Sequence, residues 1–182
     1  KRTLLTPRYS AYLKIAEGCG HQCAFCAIPS IRGQYRSRSP ESIVAEANKL
    51  AALGIKELNI VAQDTTQYGR DIEPKQTLAV LLRDLVKVDI PWIRVLYAYP
   101  TSLNQELLDL MAEHENLLSY IDLPLQHAAK SVLKRMLRPG DYDSYLQLLE
   151  KIRRTVPQVT LRSSFIVGYP GETETEFNTL LD

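Results

Sequence analysis

Five apolar, β-rich runs, Ala11 to Ala16, Glu57 to Ala62, Trp92 to Ala98, Tyr120 to Leu123 and Val159 to Val167, alternate with segments whose apolar residues recur at helical spacing. Between the first two runs, Ile43, Val44, Ala47, Leu50 and Ala51 share one face of Glu41 to Leu53. Ser39 stands there as N-cap, Pro40 at the first helical position and Gly54 just past the end. Leu78, Leu81, Leu82 and Leu85 repeat the spacing, as do Tyr145, Leu148, Leu149 and Ile152. Ser102-x-x-Gln105 and Thr173-x-x-Glu176 read as capping boxes opening two further helices. Strands that take turns with helices pair in parallel through right-handed crossovers. That leaves two α/β architectures: an open doubly wound sheet, or a full or partial barrel. The 182 residues, 45% apolar and 24% charged, supply the core of one domain and exclude a disordered or low-complexity chain.

Both architectures bind ligands beyond the carboxyl ends of their strands. The loops that matter are therefore Gly18 to Cys26, Gln63 to Thr66, Tyr99 to Thr101, Pro124 to His127 and Gly168 to Glu172, each polar, Gly-rich or Cys-rich. Lys14, Asn59, Arg94, Asp122 and Arg162 interrupt the strands, either as the lining of a polar cavity or as strand-end and ion-paired residues. With 22 Lys and Arg against 21 Asp and Glu, composition alone gives no polyanion-binding surface. Locally, Arg32, Arg36 and Arg38 lie in an acid-free stretch from Ala27 to Pro40, which reads as a dock for carboxylate or phosphate, or as a solvated loop. Tyr97 and Tyr99 fall at the mouth of the third strand, where they could line a substrate channel or form an ordinary amphipathic rim. No uncharged apolar run reaches the roughly 18 residues of a bilayer span, so a soluble protein with no membrane partner is expected. The opening Lys1-Arg2-Thr3 has neither Met nor a signal-peptide layout, as expected of a piece of a longer intracellular chain.

All three cysteines fall within eight residues, as Cys19-x3-Cys23-x2-Cys26. An odd, clustered set is a poor disulfide framework. Three thiolates from one loop can share one metal centre and leave a coordination position open. A structural zinc site would need a fourth ligand, and only His21 is adjacent, inside the loop. A catalytic zinc and a thiol redox centre stay open as readings, while all-thiolate ligation favours an iron-sulfur cluster.

Cys-x3-Cys-x2-Cys with Phe25 directly before the last Cys, at the end of the first strand of a βα series, resembles the radical S-adenosylmethionine (SAM) superfamily. Tyr12 to Cys19, Pro29 to Gly33, Arg36 to Arg38, Asp122 to His127 and Phe165 to Thr173 resemble its methylthiotransferases. Val61 to Gly69 and Arg138-Pro139-Gly140 are similar to the branch acting on an aspartate of a small-subunit ribosomal protein. The tRNA-modifying branch typically has Asn in place of Asp64.

The resemblance implies an incomplete parallel (βα) barrel of about five to six βα units. Residues 1–182 would be the radical SAM catalytic core, with an N-terminal cluster domain and a C-terminal TRAM-like β-domain outside this chain. It implies that Cys19, Cys23 and Cys26 hold a 4Fe-4S cluster whose open iron binds S-adenosyl-L-methionine, and that a second 4Fe-4S cluster belongs to the amino-terminal domain. Phe25 would lie against the adenine, and Gly168 and Gly171 would let backbone approach adenine or ribose. Gln126 would bond the ribose and Arg162 the methionine carboxylate. Gln63-Asp64 stands where many members carry Gly-Gly-Glu for the cofactor's ammonium group. No residue is assigned as the catalytic group; Asp64 and His127 are the candidates, the latter equally readable as an ordinary hydrogen-bonding residue. The implied partners are the ribosomal protein as substrate, an electron donor such as flavodoxin or ferredoxin, and a ribosomal RNA contact, all in the cytoplasm. Competing readings are the tRNA branch, a non-catalytic iron-sulfur or zinc module, and a scaffold that only docks on ribosomes.

Overall fold

The computed structural model describes residues 4–182. Five parallel strands occur in chain order: β1 (Ser10–Lys14), β4 (Glu57–Val61), β5 (Trp92–Val95), β6 (Tyr120–Asp122) and β7 (Thr160–Arg162). β1 pairs with β4 and β4 with β5, while β6 pairs with β7. The two ladders are joined where Leu118 N–H donates to Ile93 O (2.9 Å) and Ala98 N–H to Asp122 O (2.8 Å). Among the described residues β1 and β7 do not pair, so the ladder is unclosed. Each strand neighbours the next one in sequence, which puts every carboxyl end on one rim.

Pleating gives the ladder two faces. Ala11, Leu13, Leu58, Ile60, Ile93, Val95 and Ile121 are buried on one of them, in a single core with apolar residues of the helices. These helices are α2 (Pro40–Ala52), α3 (Leu78–Leu85), α4 (Gln105–Glu113) and α6 (Tyr142–Thr155). The other face carries the polar strand residues, and register lines up Tyr12, Asn59 and Arg94 in one row. Both sequence readings of these residues hold together: they form a polar face, and they pair across it. Asn59 Nδ2 donates to Ser10 Oγ (3.1 Å), Arg94 meets Glu57 at 2.8 Å and covers the Tyr120 ring at 4.5 Å, and Arg162 meets Asp122 at 3.0 Å.

The expected α2 forms with Ser39 accepting from Ser42 N–H, and the Thr173/Glu176 capping box opens α7 (Glu174–Leu181). Ser102 does not cap α4. Pro100–Ser102 winds into a 3₁₀ turn, and Asn104 Oδ1 takes the Leu107 N–H instead (3.0 Å). β5 stops before Ala98 because Tyr97 turns into the left-handed region at φ 59°. The fifth expected strand is regular only over Thr160–Arg162, with a further bridge between Gln126 and Phe165. Elements too short for periodicity to reveal are the antiparallel pair β2 (Ala16–Glu17) and β3 (Arg36–Ser37), α1 (Ile28–Arg32) and α5 (Lys130–Arg135).

Ile60 is fully buried in the middle strand. Ile60→Ala should cost about 2–5 kcal/mol, read as a lower denaturant midpoint at unchanged slope. Glu176 joins α7 to α5: Arg135, Ser131 and Thr173 N–H all donate to its carboxylate and hold its pKa below the ordinary 4.5. A depressed carboxylate contributes its stability above the unfolded value and loses it as pH falls through the folded one. Glu176→Gln should therefore melt below wild type at neutral pH, and the two melting temperatures should converge in acid.

Candidate active site at the strand ends

The cysteine loop is fixed at three places. Gly18 leaves β2 at φ 79°, and a Cβ there would sit 2.2 Å from Gln34 O, so only glycine passes. Cys19 N–H donates to Gly33 O (3.2 Å), and Ala24 N–H donates to Met136 O (3.0 Å), tying the loop to the end of α5. The three thiols are partly buried, unbridged, and open into one cavity at the carboxyl ends of β1, β4, β5 and β6. Burial pushes the Cys19 thiol up, against the His21 backbone N–H that favours the thiolate.

Around the thiols the wall is built from the other loops: Phe25 from the same turn, Gln63 and Asp64 after β4, Tyr97 and Tyr99 after β5, Pro124 and Gln126 after β6. Three free thiols that open into one cavity suit a cluster, whose iron atoms each take one thiolate. Gln63 Oε1 is buried without a hydrogen-bond partner, an acceptor waiting for an N–H or O–H.

Residues 13–182 match the family model of the Radical SAM superfamily. The chain belongs to the radical SAM superfamily. It is 55% identical over 98% of its length to "Ribosomal protein uS12 methylthiotransferase RimO" of Solibacter usitatus, and 53% identical over 100% to the protein of that name from Symbiobacterium thermophilum. It spans about two fifths of those relatives, 39% and 38% of their lengths. Among solved structures, the radical S-adenosylmethionine methyltransferase TsrM from Kitasatospora setae, with cobalamin and a [4Fe-4S] cluster bound, matches with a TM-score of 0.77 at 20% identity. That match covers 100% of this chain and 37% of TsrM. The cobalamin-dependent enzyme OxsB matches at 0.72 and 16% identity, over 96% of this chain and 26% of OxsB. These likenesses establish the fold, the incomplete parallel (βα) barrel of radical SAM proteins.

Within this radical SAM core the expected site residues separate into two sets. Cys19, Cys23, Cys26, Phe25, Gln63, Asp64 and Gln126 meet at the cavity. Asp64 is 2% exposed and already engaged: Oδ1 accepts from the Thr66 N–H (2.9 Å) and hydroxyl, and Oδ2 lies 2.7 Å from His21 Nε2. These contacts cap the turn at Thr65–Gln67 and tie it to the cysteine loop through His21. His21 is likewise occupied, bonded to Asp64 and Gln67 and stacked on Tyr99 at 3.7 Å.

His127 does not line the cavity. It is fully buried, its Nδ1 accepting from Ala129 N–H (3.0 Å) and its Nε2 lying 3.3 Å from Glu172. Burial pulls the Glu172 carboxyl up, but the Tyr169 N–H and His127 leave it below its ordinary value. The hydrogen-bonding reading of His127 is the one this environment supports. Arg162, Gly168 and Gly171 also lie outside the cavity wall. Both glycines occupy left-handed turns, φ 71° and 76°, and a Cβ on Gly168 would meet nothing within 4 Å. Backbone conformation, rather than crowding, explains the residue type there. The arginine-rich stretch is less free than its composition implies. Arg38 bonds Glu46 (2.7 Å) and Lys14 O (2.6 Å), and Arg32 lies 3.7 Å from Glu17, while Arg36 is exposed.

Sequence reasoning missed Arg138, which is 9% exposed and forms one wall of the cavity. Its only trace was the Arg138-Pro139-Gly140 string. Tyr99, buried enough that its hydroxyl pKa rises to about 12, stays neutral between His21 and Arg138. Backbone strain concentrates here too. Tyr97 (φ 59°) and Gln126 (φ 74°) are left-handed wall residues, and Leu137 (φ 54°) immediately precedes Arg138. Such conformations cost of order 1–3 kcal/mol each and persist only where surroundings enforce them.

Gly18→Ala should release the cysteine loop from Gln34, because the new methyl group would overlap a carbonyl oxygen. A loss of about 1–3 kcal/mol in unfolding free energy is expected, together with faster alkylation of Cys19 by iodoacetamide.

Proposed function

We propose that this chain is the radical-generating core of a cytoplasmic methylthiotransferase that modifies the β-carbon of an aspartate in ribosomal protein uS12. The observation that carries the reading is the convergence of three thiols and an unpartnered Gln63 acceptor on one rim cavity. It occurs in a chain 55% identical to an enzyme of that name. When bound, a 4Fe-4S cluster and S-adenosyl-L-methionine together supply a 5′-deoxyadenosyl radical able to take hydrogen from an unactivated carbon.

The protein's own part is binding, orientation and exclusion of water. Cys19, Cys23 and Cys26 would hold the cluster, and the resemblance implies that S-adenosyl-L-methionine would bind it at the position that three thiolates leave open. Gln63 Oε1 accepts from the amino group, filling the vacancy that burial leaves on it. Phe25, 40% exposed at the cavity, offers a ring face to adenine, and Gln126 reaches the ribose hydroxyls. Arg162, paired with Asp122 at 3.0 Å and 55% exposed, lies outside the cavity wall and would have to reach the cofactor carboxylate from beyond it. The turns at Gly168 and Gly171, which lie outside the cavity wall, would have to meet the adenosine at its edge.

Sulfur insertion belongs, on this reading, to the longer protein: a second 4Fe-4S cluster in an amino-terminal domain, and a carboxy-terminal TRAM-like domain for substrate. The one-electron donor is a low-potential carrier such as flavodoxin or ferredoxin, and the exposed Arg32 and Arg36 are the residues of their segment that would serve a ribosomal RNA contact. No helix among the described residues is long and apolar enough to cross a membrane.

Anaerobically reconstituted, reduced protein should release 5′-deoxyadenosine from S-adenosyl-L-methionine, and Cys23→Ala should fall to the protein-free background. Gln63→Leu should retain cluster but need roughly ten- to a hundredfold more cofactor, the equivalent of one hydrogen bond to a charged group. With the full-length enzyme, mass spectrometry should find methylthiolation on uS12 and none on tRNA; the reverse would assign the tRNA branch.

A further inference from the structure

Arg138 is a buried cation with no carboxylate within ion-pair distance among the described residues. Arginine at this degree of burial is ordinarily paired, because an uncompensated charge in a low-dielectric site is costly. Its partners here are weak or neutral. Nη2 donates to Pro124 O (2.8 Å), the guanidinium lies 4.5 Å over the Tyr99 ring, and Nε is buried with no acceptor at all. The Tyr145 hydroxyl, also neutral, meets the guanidinium as well, and the informative contact is Nη1, which points at Cys23 Sγ, 3.5 Å away.

The local chain is shaped to hold it there. Leu137 takes a left-handed turn, Arg138 N–H returns to Leu133 O (2.9 Å), and Tyr145 OH donates to Pro139 O (3.0 Å). A Cβ on Gly140 would strike the Tyr145 ring at 2.5 Å, so the turn packs directly on α6 at a position that admits no side chain. The same α5 terminus accepts Ala24 N–H from the cysteine loop, so the guanidinium and the thiol are set by one piece of backbone.

We propose that Arg138 is an electrostatic positioning residue for the metal centre. Its guanidinium supplies the buried counter-charge to the Cys23 thiolate, and its N–H donation to that sulfur raises the reduction potential of the cluster. This rests on the cluster reading above. A cluster held by three thiolates is anionic and becomes more so on one-electron reduction, so a fixed cation beside a ligand sulfur favours the reduced form.

The test is a potentiometric titration of the reconstituted protein without S-adenosyl-L-methionine, poised with dithionite and mediators and read by electron paramagnetic resonance. Wild type, Arg138→Lys and Arg138→Met are compared at equal iron and sulfide content. The midpoint potential should move to more negative values in Arg138→Met, and by less in Arg138→Lys, which keeps charge but not the fork. Should Arg138→Met fail to fold by circular dichroism, Tyr99→Leu removes the ring that seats the guanidinium and should give a smaller shift of the same sign. Equal potentials across folded variants, or a shift to more positive values, would overturn the assignment while leaving the cluster intact. Failure of wild type itself to take up iron and sulfide would instead strike the cluster reading.

Discussion

Parallel pairing is the constraint on which the site depends. Because β1, β4, β5, β6 and β7 run the same way in chain order, every strand delivers its following loop to one rim, and five short loops far apart in sequence become neighbours. The register does more than gather them. It sends Leu13, Ile60 and Val95 into the core shared with the helices and leaves Tyr12, Asn59 and Arg94 on the opposite face, so the ladder is anchored from one side only. That division lets a polar, strained cavity exist at the rim of a well-packed domain: burial on the helical side holds the strands while the loops do chemistry.

The loops in turn are stiff. Gly18 against Gln34, Cys19 N–H on Gly33, Ala24 N–H on Met136 and the Asp64 cap over Thr65–Gln67 leave the thiols little backbone freedom. All three non-glycine residues with positive φ among the described residues are at or beside the cavity. Strain of that kind is stable only if neighbours enforce it. Here the enforcing contacts are identifiable: Gln126 is clamped between Ser164 O and Ile166 N–H, and Leu137 is held by the turn that aims Arg138.

Much of this was legible in the sequence because it has a period or a spacing. The core strands and α2 announce themselves by alternation and by Ser39-Pro40, and the thiol loop by Cys-x3-Cys-x2-Cys. What was not legible depends on where the chain turns back. Ser102 and Asn104 are both competent caps, and only the 3₁₀ turn at Pro100–Ser102 decides for Asn104. His127 and Arg138 look alike in one dimension, lone polar residues near apolar ones. The fold buries the first against Glu172 and swings the second 115 residues back to a cysteine. A left-handed leucine carries no sequence signature, so the Arg138-Pro139-Gly140 string marked the place without showing that the guanidinium returns to the cysteine loop.

Two orphaned atoms give the cavity a direction. Gln63 Oε1 is an acceptor without a donor, and Arg138 Nε is a donor without an acceptor, both buried on the same wall system. Each unsatisfied group costs about 1–3 kcal/mol in a folded protein, and the left-handed residues add to that burden. A site that held only hydrophobic ligand would leave both costs in place. A ligand set that brings an N–H to one side and an anion to the other removes both, and binding then stabilises the fold by more than its contacts alone would suggest. On the proposed reading, the polarity of the two groups suits a cofactor amino N–H near Gln63 and anionic sulfur near Arg138, which would tie the roles of the two residues to each other.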